Sequence, residues 1–462
     1  MKRTWLHVFW IALAIKVILA AVIPLSNDEA YYWVWSHHLQ WSYYDHPAAV
    51  AWLFWLGHIF EPLRHIFGGD FNGVVRIPAV AVCHFALVAI KRIIGESISE
   101  KQHVQWLCVV LVSPFFGLGS LIVTPDLPLV LTWSFAMLAF KNHLENKSVS
   151  SGALLGAALG AGFCAKYHIV LFVPVAVAHV FWKREWRLVQ PKIVAAAVFW
   201  GLLFSAPVWG WNATHDWISF RFQLNHGLNQ EARSFERMFE QFLEYGGAQL
   251  ALLSPLVLFN VWKFNEPKEI SFLRWFGWAP ILFFAWTSFR SPVEANWPIA
   301  GHMPLLVLAS INDSKKWLSR GMIGLWSFAS VIVIYQGFHP EQNLFGIPAQ
   351  NLKTHEFVRF RALEDEAKHD NSLFASSYQM AGALSIAADR TVAKLAGINR
   401  MDFFDFNETG HPMGNRFTVA ISEEWPWPAW IAERGYAEAT RRRVENFTIV
   451  TFVRDRVPDL RR

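Results

Sequence analysis

Long apolar segments alternate with short polar loops from Trp5 to Tyr335, and beyond that point the chain becomes polar. Apolar runs of 15 to 22 residues are long enough to cross the hydrocarbon core of a bilayer as helices. The pattern predicts eleven such spans, at about 5–25, 74–90, 103–122, 127–142, 152–165, 167–182, 193–211, 243–262, 272–288, 297–312 and 318–338. Two of them, 152–165 and 167–182, are short, which favours tilted or partly re-entrant helices.

The charged residues of the loops predict how the chain is oriented. Most Lys and Arg residues fall in the loops on one side of the eleven spans, and such loops face the cytoplasm. The N-terminus is then cytoplasmic, while the loops 26–73 and 212–242 and the whole tail lie on the other side. An odd number of spans also places the N-terminus and the tail on opposite sides of the membrane. The charge distribution and the span count, which are independent arguments, therefore agree.

The tail has a pattern of its own. A charged amphipathic helix is predicted at 351–368, and strand, helix and strand patterns follow between 372 and 397. Further strands are predicted at 417–422 and 447–453. We therefore predict a polytopic α-helical membrane module at 1–338 and a small soluble α/β domain at 339–462.

Composition narrows the functional classes. The net charge of +5 belongs to the loops that set topology, so we predict no nucleic-acid partner. All three Cys lie in apolar segments without a metal-ligand spacing, which is typical of small core residues. The first apolar segment could pass for a signal peptide, but we predict a retained helix because no small-residue cleavage site follows it.

The first outer loop, which begins SNDEAYYWVWSHHLQWSYYDHP, holds the densest group of reactive side chains. Asp28 and Glu29 lie at the end of an apolar segment, where a charge is costly and usually functional. Both are candidate catalytic residues, although acids at a helix N-terminus could also simply cap it. Aromatic rings beside them could hold sugar rings or form an interfacial belt. The candidate substrate-binding residues of this loop are Tyr31, Tyr32, Tyr44, Asp45 and His46.

The other outer loops add acids and bases at the same predicted depth. Asp126, after Thr-Pro, is a further candidate catalytic residue, and Glu294 is a candidate for substrate binding. The candidates for binding a phosphate are Lys166, Arg290, Arg76 and His226. Each has an ordinary alternative, such as a helix-terminal acid for Asp126 or a snorkelling side chain for Lys166.

Together these groups suit one reaction. A carboxylate near apolar groups can act as a base, and a cluster of cations can bind a phosphate. Displacing a phosphate from a sugar carbon needs only that base, whereas glycoside hydrolysis needs two carboxyls. The expected substrate is a polyprenyl-phosphate sugar, and a single displacement inverts its anomeric carbon. No metal site is predicted from spacing, although the acids and His46 of the first loop could hold Mg²⁺ or Mn²⁺.

The run DEAYYWVWSHHLQWSYYDHP resembles the first outer loop of bacterial glycosyltransferase family 39. These proteins are related to protein O-mannosyltransferases and to lipid A aminoarabinose transferases, within the GT-C superfamily. Weaker matches follow in the expected order, at 124–133, 162–174, 207–223, 294–302 and 377–386. The resemblance implies a GT-C fold with a periplasmic domain. It also implies sugar transfer from an undecaprenyl-type phosphate to lipid A, another lipid or an envelope glycan, at the periplasmic face of the inner membrane.

The resemblance also implies roles for single residues. Asp28 matches the first-loop acidic position and would be the general base. Asp126 matches a second acidic position that orients acceptor or donor, and Lys166 matches a basic position near the donor phosphate. Arg290 has a plausible counterpart in the later loops. One departure is His46-Pro47-Ala48, where the family often has DHPP, and we expect it to change a turn slightly.

Two other classes of protein stay open. A transporter or flippase for a lipid-linked glycan would carry ionisable groups near the middle of the membrane and paired broken helices. Only the short pair at 152–182 hints at this, and the acids lie at an edge of the membrane. A non-catalytic scaffold would tolerate replacement of Asp28.

Overall fold

The structure is a computed structural model, and it describes residues 3–66, 71–228, 234–263, 266–312 and 316–454. Its α-helices are α1 (Arg3–Val22), α2 (Asn27–His37), α3 (Ala49–Gly57), α4 (Ile77–Ile94), α5 (Glu100–Val112), α6 (Asp126–Asn146), α7 (Val149–Ala165), α8 (Phe172–Lys183), α9 (Pro191–Thr214), α10 (Ile218–Leu228), α11 (Phe235–Lys263), α12 (Phe272–Ser288), α13 (Ile299–Ile311), α14 (Lys316–Phe338), α15 (Glu364–His369), α16 (Tyr378–Ala388) and α17 (Ala429–Glu433). Its strands are β1 (Leu373–Ala375), β2 (Arg416–Ile421), β3 (Ala437–Val444) and β4 (Phe447–Val453).

Each of the eleven predicted apolar segments contains an α-helix. Among the described residues, four stretches are long and apolar enough to cross a membrane, namely Arg3–Val22, Asn72–Ile94, Pro191–Thr214 and Ser319–Phe338. Shorter apolar helices occupy Ala49–Leu63, Val149–Ala165, Tyr167–Lys183 and Ile299–Ile311. The total of eleven crossings therefore stays a prediction.

Two helix predictions are wrong in extent. The segment predicted at 103–122 is helical only to Val112, because Ser113 precedes Pro114 and adopts an extended conformation (ψ 151°) that ends the helix. The charged segment 351–368 does not form one helix. It forms short 3-10 turns followed by the six-residue α15.

The described residues group into two compact units. The first unit contains Met1–Val22, Gln40–Phe60 and Val74–Ile334. The second unit contains Ile23–Leu39, Glu61–Gly73 and Tyr335–Arg462. The first outer loop is thus divided, since α2 belongs to the second unit and α3 to the first. The predicted separation of a membrane module at 1–338 from a soluble domain at 339–462 stays a prediction.

In the first unit, small residues allow helices to approach closely. A Cβ atom on Gly156 would collide with the carbonyl oxygen of Ala197, and one on Gly160 with that of Gly201. Contacts of this kind between α7 and α9 are typical of helices in membranes, where close backbone packing replaces the hydrophobic effect. The glycine-rich sequence of α7 is therefore a packing surface.

In the second unit, a sheet with the strand order β1-β2-β4-β3 forms the core. β1 pairs with β2 in parallel, and the other neighbouring strands are antiparallel. Phe417 and Val419 of β2 and Val450 and Phe452 of β4 are buried in one apolar cluster. The strands expected near 417–422 and 447–453 are present. The one expected at 391–397 is only a bridge between Ala375 and Lys394.

Candidate functional site

The helix α2 begins with a capping box that uses Glu29. The Glu29 carboxylate accepts a hydrogen bond from the Ser26 amide at 2.9 Å, and the Ser26 hydroxyl accepts one from the Glu29 amide at 3.4 Å. This reciprocal pair satisfies N–H groups that a helix start would otherwise leave open. Glu29 is fully buried. It therefore stabilises the start of the helix that carries Asp28, and its predicted catalytic role stays a prediction.

Asp28 lies one residue earlier on the same helix, and its side chain is exposed. It lines a cavity of about 1100 Å³ within the second unit. Desolvation by the surrounding protein raises the pKa of Asp28, although Lys353, a hydrogen bond with Tyr378 and Arg400 act in the opposite direction. A carboxylate with a raised pKa, open to a cavity, has the properties of a general base.

Close packing of α2 against α16 fixes the position of Asp28. A Cβ atom on Gly382 would come within 2.6 Å of the backbone nitrogen of Tyr31. No side chain fits between the two backbones there, so glycine is required by space rather than by a turn. The two helices bring Asp28 and Tyr378, each in a first turn, to the same cavity.

The rings predicted as sugar platforms in this helix are buried. Tyr31 is 2% exposed, and its hydroxyl accepts a hydrogen bond from the Phe403 amide at 2.9 Å. Its ring lies 4.6 Å from the ring of Tyr378. Tyr32 is 7% exposed and contacts Trp35. Both rings pack α2 into the second unit, and their binding of substrate stays a prediction.

The first unit contains a buried ion pair between Asp126 and Lys166. The Lys166 ammonium lies 2.7 Å from Asp126 Oδ1, and both side chains are less than a tenth exposed. The second carboxylate oxygen, Oδ2, accepts hydrogen bonds from the Asn296 amide at 2.6 Å and from the Thr124 hydroxyl at 3.2 Å. A buried ion pair is tolerable when its remaining lone pairs are satisfied in this way.

The elements around this pair explain its geometry. Asp126 is the first residue of α6, after Pro125, and Lys166 ends α7 in an extended conformation. Acids are stabilised at a helix N-terminus. Asn296 belongs to the same outer loop as Arg290 and Glu294 and to the matching segment 294–302, but the sequence assigned it no role. No local sequence pattern predicts that Asn296 contacts Asp126, which is 170 residues away in the chain.

The rest of the first loop contacts α10 within the first unit. The Asp45 carbonyl accepts a hydrogen bond from the Gln223 side chain at 2.7 Å, and the ring of Tyr44 lies 4.6 Å from that of Phe222. His46 is half-buried, and its carbonyl accepts a hydrogen bond from the Tyr43 amide at 3.1 Å. This turn contains the Pro47-Ala48 departure, and Ala48 is fully buried.

The remaining predicted phosphate ligands are spread over different surroundings. Arg76 is fully buried, and its guanidinium donates to the Ala20 carbonyl at 2.8 Å. Arg290 is exposed and lies over the ring of Trp286 at 4.1 Å, a cation–π contact. Glu294 is exposed. The side chain of His226, in α10, lies outside the described part of the structure. Their roles stay predictions.

No metal centre is visible in the described residues, which contain no group of three or more His, Cys, Asp or Glu side chains arranged to hold an ion. The first-loop acids that could have held Mg²⁺ or Mn²⁺ are engaged differently. Glu29 caps a helix, and Asp28 faces a cavity that it shares with Lys353 and Tyr378.

The chain is similar to several known glycosyltransferases. The family described as dolichyl-phosphate-mannose-protein mannosyltransferase matches residues 45–211. Lipid A galacturonosyltransferase RgtD of Rhizobium johnstonii is 23% identical over 307 residues, which cover 63% of this chain and 61% of that protein. Undecaprenyl phosphate-alpha-4-amino-4-deoxy-L-arabinose arabinosyl transferase 2 of Pseudomonas fluorescens is 23% identical over 326 residues, covering 64% of this chain and 54% of that protein. The chain thus spans less than two thirds of the length of these relatives.

The fold has a solved counterpart. The crystal structure of ArnT from Cupriavidus metallidurans bound to undecaprenyl phosphate matches with a TM-score of 0.63 at 14% sequence identity, covering 98% of both chains. The apo state of the same protein matches with a TM-score of 0.65. From the family match, the relatives and the fold, the chain is a polytopic helical membrane protein that is similar to glycosyltransferases related to the lipid A aminoarabinose transferases.

Proposed function

We propose that the protein is an inverting glycosyltransferase that takes a sugar from an undecaprenyl-type phosphate. The acceptor is a lipid or envelope glycan such as lipid A, at the periplasmic face of the inner membrane. The relatives support this class, since one is a lipid A galacturonosyltransferase and others use an undecaprenyl-phosphate sugar. The observation that carries the proposal is Asp28, a carboxylate with a raised pKa at the wall of a large cavity.

Asp28 is the general base of the proposed reaction. An acceptor hydroxyl gives its proton to the Asp28 carboxylate while its oxygen attacks the anomeric carbon. The bond between that carbon and the phosphate oxygen breaks, and the polyprenyl phosphate leaves with the electron pair. No acid is required for this leaving group, which separates the reaction from glycoside hydrolysis. Proton transfer to a positioned base contributes about 10²- to 10⁴-fold in rate.

Lys166 is the proposed contact to the donor phosphate. An ammonium group has three N–H donors, and the ion pair with Asp126 engages one of them. Asp126 itself accepts hydrogen bonds from Asn296 and Thr124, so its carboxylate holds the Lys166 ammonium in a defined position. A pre-positioned cation stabilises the negative charge that develops on the leaving phosphate. Asp126 is therefore a positioning residue in this proposal.

The orientation completes the proposal. A cytoplasmic N-terminus puts the loops 26–73 and 212–242 and the tail in the periplasm, as the distribution of Lys and Arg predicts. Reporter fusions at both ends of the chain would test it. A cytoplasmic tail would contradict both the eleven-span arrangement and the periplasmic site.

The decisive experiment compares the lipids and envelope glycans of cells that carry wild-type protein or Asp28→Asn. Mass spectrometry should find a sugar-sized mass in wild type that is lost in Asp28→Asn, and this mass identifies the sugar and the acceptor. Asp389→Asn is a matched control, because Asp389 is an exposed acid of the same unit, paired with Arg64. An unchanged profile with stably inserted Asp28→Asn protein would reject Asp28 as the base and favour a transporter or scaffold.

A further inference from the structure

The cavity at Asp28 is rich in carboxylates. It lies wholly within the second unit, between the starts of α2 and α16, the turns before α15 and the ends of β2 and β3. Its acidic lining residues are Asp28, Glu341, Glu356, Asp365, Glu423 and Glu445. Its cationic lining residues are Lys353, Arg359 and Arg361. With six acids against three strong bases, the cavity has a negative formal charge.

The ion pairs inside the cavity do not reverse this balance. Arg361 pairs with Glu341, and Lys353 pairs with Glu356 at 3.3 Å. Lys353 is 87% exposed, so water screens its charge strongly. Glu356 is only 19% exposed, and it is held by the protein on the side of the cavity near Asp28.

Glu356 lines the same cavity as Asp28, and the charge of Asp28 acts on it. Burial raises the pKa of Glu356, and the charges of Asp28 and Glu29 raise it further, while Lys353 lowers it. Tyr378 adds a hydroxyl to the same group through its hydrogen bond with Asp28. A ligand at Asp28 is therefore within reach of the Glu356 carboxyl and the Tyr378 hydroxyl as well as of Lys353.

We propose that this cavity binds the acceptor, that the accepting atom is a hydroxyl oxygen of a neutral or positively charged sugar rather than a phosphate oxygen, and that Glu356 determines this specificity by accepting hydrogen bonds from the sugar. The inference rests on the proposed function, since it names the acceptor class of that same site.

The charge of the cavity is the first reason to expect a sugar hydroxyl rather than a phosphate as the acceptor. A phosphate monoester carries between one and two negative charges at neutral pH, because its second pKa is about 6. Bringing it to a cavity with excess carboxylates opposes like charges, which is a strong form of selection against a ligand. Sugar hydroxyls donate to carboxylates, and hydrogen bonds to ionised acceptors are among the stronger ones.

The need for a base is the second reason. A phosphate oxygen is already deprotonated and attacks without help, whereas a sugar hydroxyl must lose its proton as it attacks. Asp28 can take that proton only if the acceptor brings one. The proton moves from the hydroxyl to Asp28 as the new carbon–oxygen bond forms and the bond to the donor phosphate breaks.

The chemical linkage of the product tests the acceptor class. The sugar-bearing product of wild-type cells, identified by its absence in Asp28→Asn cells, is treated with mild acid. A sugar joined to a hydroxyl survives this treatment, whereas a sugar joined through phosphate is released. We expect survival, with an unchanged number of phosphomonoesters by ³¹P NMR. Release of the sugar, with a diester signal in place of a monoester, would overturn the inference and the role of Asp28 as base to a hydroxyl, but not the transfer of a sugar from a polyprenyl phosphate.

Glu356 is tested with full-length protein in nanodiscs, with the unmodified acceptor fraction of Asp28→Asn cells and the matching donor lipid. Glu356→Gln should raise the KM for the acceptor about tenfold, as loss of a hydrogen bond to a charged group does, and leave the KM for the donor unchanged. Glu433→Gln, an exposed acid of α17, is the matched control. An unchanged acceptor KM in Glu356→Gln would remove its role. If wild-type and Asp28→Asn cells show no difference in product, both proposals fall together.

Discussion

Two carboxylates, each in the first turn of a helix, have opposite surroundings in the two units. Asp126 of the first unit is buried, and its oxygens receive Lys166, Asn296 and Thr124. Asp28 of the second unit is open to a cavity, and its raised pKa comes first from desolvation. The same residue type at the same kind of helix position thus forms a buried ion pair in one unit and lines a cavity in the other, where we propose that it accepts a proton. Its neighbours decide which role it takes.

Asp28→Asn should have the largest effect on activity. Because an amide cannot accept the proton, we expect transfer to fall about 10²- to 10⁴-fold, with little change in folding. The measurement is product formation by purified protein, together with its melting temperature. An active Asp28→Asn protein would abolish the distinction between the two carboxylates.

Lys166→Met should affect the stability of the first unit most. Removing one partner leaves the Asp126 carboxylate buried without its counter-charge, which costs about 3–5 kcal/mol. We expect a lower melting temperature in nanodiscs. The double variant Asp126→Asn, Lys166→Met should recover much of the loss, because no buried charge remains. Equal melting temperatures for Lys166→Met and wild type would show that water reaches the pair.

Gly382→Ala should disturb the second unit more mildly. The added methyl would press on the backbone of Tyr31, and overpacking of this kind costs about 1–3 kcal/mol. Because α2 must move, activity should fall more than the melting temperature suggests. Gly435→Ala is the control for backbone strain without crowding. Gly435 has a positive φ of 77°, and nothing lies within 4 Å of its Cβ position.

Lys353→Met should give the smallest effect, a shift in the pH profile. Activity needs ionised Asp28, so it should fall as pH drops through a pKa that lies above the ordinary aspartate value. Lys353 lowers this pKa, so its removal should move the acidic limb to higher pH. If the acidic limb of the Lys353→Met profile lies at the same pH as that of wild type, a group other than Asp28 controls the loss of activity at low pH.

The same pKa has a consequence for stability. Because the folded pKa of Asp28 is raised, the protonated form is favoured in the folded state. The contribution of protonated Asp28 to the free energy of unfolding is therefore present at low pH and is lost as pH rises through the folded pKa. Asp28→Asn should remove this pH dependence, which thermal unfolding in buffers of different pH can measure.

Local sequence was enough to predict many elements. The apolar segments contain helices because runs of that length have one way to satisfy their backbone in a membrane. β2 and β4 follow from β-branched and aromatic residues. The helix predicted at 351–368 does not form as one helix, because the chain turns in short 3-10 segments before the six-residue α15.

The candidate site was only partly predictable. Asp28, Asp126 and Lys166 could be singled out because charge beside apolar segments is costly and because a familiar loop surrounded it. The contact of Asn296 with Asp126 and the position of Glu356 near Asp28 could not be predicted, since each depends on a partner far away in the chain.

By itself, the sequence determined the membrane-type helices, the main strands and the residue types available for chemistry, because these depend on hydrophobicity and local conformational preference. Tertiary structure alone decided that α2 joins the tail's unit and that Asp126 is neutralised by Lys166. It also placed Asp28 with Glu356 in an acidic cavity. The physical reason is that burial and electrostatics depend on which distant groups come together, and no local pattern encodes that pairing.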